Sequence, residues 1–150
     1  MHSLELRLQR IEDLESIRQL KAAYCDACDD DHNGDAVVAL FTADGSWQHA
    51  GSDPLVGRRA IAEHLFAIRA AKGMSRSSHL VSNPVIEING DLARANWRFV
   101  MLYTASASGD FHRIIGRYED TFVREQGQWL FQSLIAHVEV RGQYAAAGVE

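Results

Sequence analysis

Apolar residues fall at Leu4, Leu8, Ile11, Leu14, Ile17, Leu20, Tyr24 and Cys28, every third or fourth position, which predicts one long amphipathic helix. Its end lies between Asp30 and Gly34, where Asn33-Gly34 is a turn signal. A shorter helix is expected from Ala36 to Phe41, capped by Asp35 or Asn33 and ended by Asp44-Gly45. Ser46 to His49 reads as a short strand. Gly57 then precedes a third helix with Ile61, Leu65 and Ile68 as its buried stripe, closed by Lys72-Gly73.

Beyond this point the period changes from about 3.6 to 2, the signature of strands. His79 to Ile88 ends at the hairpin signal Asn89-Gly90. Leu92 to Thr104 alternates, with Ala93, Ala95, Trp97, Phe99, Met101 and Tyr103 on one face. Ser106 to Asp110 turns the chain into a strand from Phe111 to Arg124, and Gln126-Gly127 leads into a last strand from Gln128 to Val140. Helices followed by an antiparallel meander predict an α+β fold, with the first helix across the concave side of a curved sheet and room for a ligand between. The tail after Arg141 is small and weakly patterned, and is expected either to fray or to act as a flap over the pocket mouth.

At 150 residues, 47% hydrophobic and 23% charged, the chain is expected to form one globular domain over residues 1–150. The net charge of −5 and the scattered arginines argue against nucleic acid as a partner. No stretch approaches a membrane span and the N-terminus lacks a signal-peptide pattern, so no membrane partner and a cytoplasmic location are expected. Glycines punctuate elements and form no GxGxxG or GxxxxGKS string, so no nucleotide cofactor is implied. Cys25 and Cys28 lie late in a helical run and lack two further ligands at zinc spacing; packing is the simpler reading, and no metal site is expected.

The chemistry points to His79, a titratable residue at the head of a strand pattern, downstream of a helix that ends in carboxylates. A carboxylate holding one ring nitrogen fixes the tautomer of a His and supports the other nitrogen as a base. Periodicity continues the stripe of Tyr24 and Cys28 best to Asp31, leaving Asp29 about 100° from Cys28. Asn83 shares a strand face with His79 and Val81, and is expected beside the same cavity. His137 alternates with Trp129, Phe131 and Ile135 and is a candidate to line the pocket as an acid. Trp47, Trp97, Phe99 and Met101 read as pocket wall and core. His32, His49 and His64 read as surface or rim positions.

The element order, Ile17 to Tyr24, the acidic run Asp26 to Asp31, Phe41-Thr42-Ala43-Asp44-Gly45, His79-Leu80-Val81-Ser82-Asn83, and Gly116 to Asp120 through Trp129 together resemble the SnoaL-like branch of the NTF2-like superfamily. That resemblance covers nearly the whole chain. It implies a cone, with three N-terminal helices packed in the concave face of a bent antiparallel sheet, and the family's dehydratase and dehydrochlorinase members imply an elimination. By motif, the resemblance places the base on His79, the orienting acid on Asp29 and a phenol on Tyr24, five residues before the acid. A change of winding in the last helical turn would bring Asp29, in place of Asp31, to the pocket.

Scytalone dehydratase has a second His on the next strand, where this chain offers only Tyr103 and Thr104 as polar candidates. Arg141 stands roughly where the bile-acid dehydratase has an Arg, and would either meet an anionic substrate group or be solvated. The resulting expectation is a cofactor-independent lyase acting on a small hydrophobic cyclic hydroxy-ketone, such as a steroid, polyketide or aromatic-catabolic intermediate. Two alternatives stand beside it: a non-catalytic binding or assembly module, and ketosteroid-isomerase-like chemistry with Glu119 or Asp120 as base. Relatives of this kind imply a homodimer or homotrimer.

Overall fold

The structure, a computed structural model, describes residues 3–144. Among these residues the chain forms helices α1 (Leu4–Asp29), α2 (Gly34–Val38) and α3 (Arg58–Ala71). The strands are β1 (Phe41–His49), β2 (Leu55–Val56), β3 (Met74–Asn89), β4 (Leu92–Ala105), β5 (Phe111–Glu125) and β6 (Gln128–Tyr144). They make one six-stranded curled sheet in the order β2-β1-β6-β5-β4-β3. β3 to β6 form the expected antiparallel meander, and β1 adds in parallel along β6. The fold is thus mixed α+β.

α1 starts at Ser3, whose side chain accepts from the Leu6 N–H. Its first turns are not buried: Leu4, Leu8 and Ile11 are exposed. Burial begins at Asp13 and runs through Ile17, Lys21, Tyr24, Cys25 and Cys28. The apolar period therefore marks the helix correctly but misplaces the buried stripe, which includes charged residues. Asp13 is buried because Arg124 on β5 grips both its oxygens at 2.7 and 3.0 Å and Trp129 Nε1 donates at 3.0 Å.

The second helix is shorter and earlier than its periodicity suggests. Asn33 caps it by accepting from the Ala36 N–H, and Phe41 belongs to β1. Sheet pairing overrides the local pattern: the Phe131 N–H donates to the Leu40 carbonyl, and the fully buried Phe41 ring stacks on Phe131 at 5.0 Å. Asp44-Gly45, expected to end a helix, lies within that strand.

Three one-residue irregularities decide which way the long strands face. On β3, Ser82 pairs with Arg98 but Val85 with Asn96, so an extra residue is taken up at Asn83-Pro84, with Asn83 at φ +52°. On β6, Thr121 pairs with Ser133 but Phe122 with Phe131, leaving Gln132 extra. Ile115 pairs with Val140 but Gly116 with Val138, leaving Glu139 extra. Each bulge inverts the alternation beyond it.

β5 and β6 come unusually close at Gly116. A Cβ there would lie 2.0 Å from the His137 carbonyl oxygen and 2.7 Å from Phe99 Cε1. Gly116→Ala is expected to lower stability by about 1–3 kcal/mol through forced displacement of backbone and ring, read by thermal unfolding.

Candidate active site

Asp29 is the last helical residue of α1 and His79 lies on β3, which α1 crosses. The Asp29 carboxylate collects three donors. His79 Nδ1 lies 2.6 Å from Oδ1, the Ser77 hydroxyl donates to Oδ1 at 2.9 Å, and the His79 backbone N–H donates to Oδ2 at 2.7 Å. An ionised carboxylate only accepts, so Nδ1 carries a proton, and in the neutral tautomer that this selects, Nε2 keeps its lone pair. Burial pushes the Asp29 carboxyl upward, but the bonds from His79 and Ser77 outweigh it and the net shift is downward.

That direction sets a pH dependence. A carboxyl whose folded pKa lies below its unfolded value contributes stability above the unfolded value, near 3.8, and loses it as pH falls through the folded one. The stability difference between wild type and Asp29→Ala is therefore expected to shrink as denaturation is carried from about pH 5 to about pH 2.

Asp29 reaches His79 without any unwinding. α1 stays α-helical through Asp29, and Lys21, Cys25 and Asp29 follow one another at spacings of four on the side that meets the sheet. Asp31 is exposed and turns to Arg69, 3.5 Å away, so the choice between the two acids falls to Asp29 by position on the helix.

A cavity of about 380 Å³ opens beside His79, a size suited to a small ligand. Tyr24, Trp47, Phe99, Tyr103 and Arg141 are among the residues that line it, Arg141 from an exposed position. Tyr24 is 2% exposed; Trp47 Nε1 donates to its hydroxyl at 2.8 Å, and the same hydroxyl hydrogen-bonds Cys28. Burial, with Cys28 and Tyr118 adding to it, raises the phenol's pKa well above its ordinary value, so Tyr24 remains a proton donor. Burial likewise pushes the thiols of Cys25 and Cys28 up to about 11 and about 12, as befits packed cysteines.

Two expected pocket residues lie elsewhere. Asn83 is exposed, because the bulge it occupies turns it out of the face it would share with His79. His137 faces the opposite side of the sheet, with Nε2 3.3 Å from Glu119, because the extra residue at Gln132 inverts the alternation that Trp129 and Phe131 begin. Leu134, Ala136 and Val138 take the inner face in its stead. The second bulge, at Glu139, inverts the phase again and returns Arg141 to the cavity.

Neither acid of the isomerase-like reading lines the cavity. Glu119 pairs with Arg117 and His137, and Asp120 is 1% exposed with its carboxylate 2.8 Å from Lys21 Nζ. β5, which carries both, is an inner strand of the sheet.

Periodicity misses other wall residues. His32, read as surface, is 9% exposed and lines the cavity, because Asp31 and His32 both adopt left-handed backbone at φ +49° and +52° after α1. Burial lowers its pKa and the nearby His79 lowers it further. His49, read as surface or rim, is exposed where it lines the cavity, and partial desolvation, His64 and Arg141 lower its pKa. Tyr118 and Ile114 complete the floor and fit the β5 alternation, a signal available from the chain. The tail from Ala145 onward lies outside the described residues. Among the described residues no three His, Cys, Asp or Glu side chains converge as metal ligands, and no helix is long and apolar enough to cross a membrane.

Comparisons place this architecture among known proteins. A provisionally named scytalone dehydratase from Novosphingobium aromaticivorans superposes with a TM-score of 0.81 at 21% identity, over 93% of this chain and 92% of that one. An NTF2-like protein with a cystatin-like fold from the same organism gives 0.78 at 27% identity, over 92% and 91%. The hexachlorocyclohexane dehydrochlorinase LinA-type3 of Novosphingobium barchaimii gives 0.83 at 15%, over 96% and 98%. The first and third likenesses speak to the fold alone. No curated protein matches the sequence. The SnoaL-like domain model matches residues 9–135, most of the chain, and the protein belongs to the SnoaL-like domain family of the NTF2-like superfamily.

Proposed function

We propose that the protein is a cofactor-independent lyase that eliminates water from a hydrophobic cyclic hydroxy-ketone. The observation that carries this reading is the 2.6 Å contact between Asp29 and His79 Nδ1 at the wall of an apolar cavity. His79 Nε2 takes the proton from the carbon α to the carbonyl. The C–H electron pair becomes the new double bond as the β-hydroxyl departs, and the proton now on His79 Nε2 passes to that oxygen, giving an enone and water and restoring the base. Asp29 positions the imidazole and stabilises the imidazolium. Tyr24 donates to the carbonyl oxygen, where negative charge develops. His32, the second imidazole of the wall, is the group assigned to the leaving hydroxyl.

The lyase-type chemistry of the scytalone dehydratase and dehydrochlorinase neighbours supports the reaction class at the level of fold. The test is a panel of cyclic β-hydroxy-ketones incubated in heavy water, with deuterium uptake at the α-carbon and enone absorbance as readouts. Exchange and water loss are expected for at least one, and His79→Ala is expected to reduce both by about 10²–10⁴-fold. Full turnover by His79→Ala, or no exchange with any compound, would instead favour a binding module.

A further inference from the structure

The cavity's charges are all of one sign. Among the described residues its titratable nitrogen bases are His32, His49, His79 and Arg141, and no Asp or Glu lines it. Asp29 stands behind His79, and the remaining acids of the inner sheet face are spent, as Asp120 is on Lys21. Arg141, exposed at the edge of the cavity, is the only described lining group with a permanent charge. No hydrogen bond or ion pair joins it to another described residue, although all the arginines of the neighbouring strands β4 and β5 are engaged. His49 stands near enough to feel the Arg141 charge, and its ring packs on Trp47 at 4.7 Å, with His64 on the same indole at 5.1 Å.

The sheet register measures how far this cationic end is from the base. His79 pairs with Met101, Met101 with Ile114, and Ile114 with Arg141. These four residues occupy one rung, and all four line the cavity. At the usual strand spacing, the base and the guanidinium therefore originate about 14 Å apart along the cavity floor. The two residues between them are apolar.

We propose that the substrate is an apolar ring system bearing a carboxylate, held by Arg141 with His49 beside it, its carbon acid lying at the far end of the rung against His79. This rests on the reading of His79 as the base, but recognition of the carboxylate is separable from turnover. A carboxylate supplies the planar pair of acceptors that an unpaired guanidinium lacks. Its cost of leaving water is offset in a wall that has Arg141 and no described acid to compete for it. The rung also makes the site a ruler, favouring acids whose carboxylate is separated from the reacting ring by an apolar span.

Calorimetric titration with two ligand pairs tests this: a fused three-ring carboxylic acid and its primary carboxamide, and a one-ring aryl acid with its carboxamide. The long acid is expected to bind wild type at least about tenfold more tightly than its amide. Arg141→Gln should erase that preference while leaving amide affinity unchanged, and Arg141→Lys should restore part of it. His79→Ala should retain the preference in full, which separates this inference from the lyase reading. A short acid should gain less than the long one. Equal affinity for acid and amide, an acid preference that survives Arg141→Gln, or no binding by either acid would overturn the proposal. Acid preference without elimination would leave it standing and count against the lyase.

Discussion

Asp29→Asn is expected to reduce turnover by about 10²–10⁴-fold while leaving the fold in place. The reason lies in the three donors around the carboxylate. The His79 backbone N–H points at Oδ2 from 2.7 Å and cannot reverse its role. An asparagine must therefore put its carbonyl oxygen there, which turns its NH₂ toward His79 Nδ1 and Ser77. Nδ1 then has to accept, the ring proton moves to Nε2, and the nitrogen meant to take the substrate's proton no longer has a lone pair. The opposite amide orientation sets donor against donor. Steady-state kinetics on a converted substrate would show the loss in kcat, with ligand affinity little changed. Turnover within a few-fold of wild type would refute Asp29's positioning role.

Removing Lys21 alone is expected to have the largest effect on stability. Its ammonium is fully buried 2.8 Å from Asp120, also buried, and lies 3.5 Å from the centroid of the Tyr118 ring. Burial lowers the Lys21 pKa and raises that of Asp120, and each is opposed by the other's charge. Lys21→Met would strand the Asp120 carboxylate in the core, a change that costs about 3–5 kcal/mol. The double variant Lys21→Met/Asp120→Leu removes both charges and is expected to recover most of that loss, or to exceed wild type. Urea denaturation of the two variants distinguishes an isolated buried charge from lost packing. Because Tyr118 lines the cavity, the single variant should also weaken ligand binding.

The outline of the fold was readable along the chain. Spacings of three and four between Leu4 and Cys28, and the alternation from Leu92 to Thr104, correspond to α1 and β4 within a residue or two. Asn33 capped α2, and Gly57 preceded α3. Failures occurred where a partner remote in sequence decided the outcome. Phe41 is a strand residue because Phe131 pairs beside it, and β3 begins at Met74, ahead of its apolar pattern, because β4 continues opposite it. Asp13 and Lys21 lie off the apolar stripe of α1, and their burial depends on Arg124 and Asp120, about a hundred residues away.

The site divides in the same way. Tyr24, Asp29 and His79 could be named from local motifs matched to a family, because their spacing and their places at an element's end are written in consecutive residues. Asn83, His137 and His32 could not be placed so. A single inserted residue on β3 or β6 reverses every side chain after it, and two left-handed residues after α1 turn His32 inward. Such bulges leave little mark on hydrophobic period, since their energy comes from strand pairing and packing rather than from the residues themselves. Consecutive residues were enough to set the order and kind of most elements and, with the family resemblance, to single out His79 and an acid at the end of α1. Which faces look into the cavity, which acid meets His79, and that the described wall holds Arg141 and no described carboxylate became legible in three dimensions alone, because burial and pairing belong to residues brought together from distant parts of the chain.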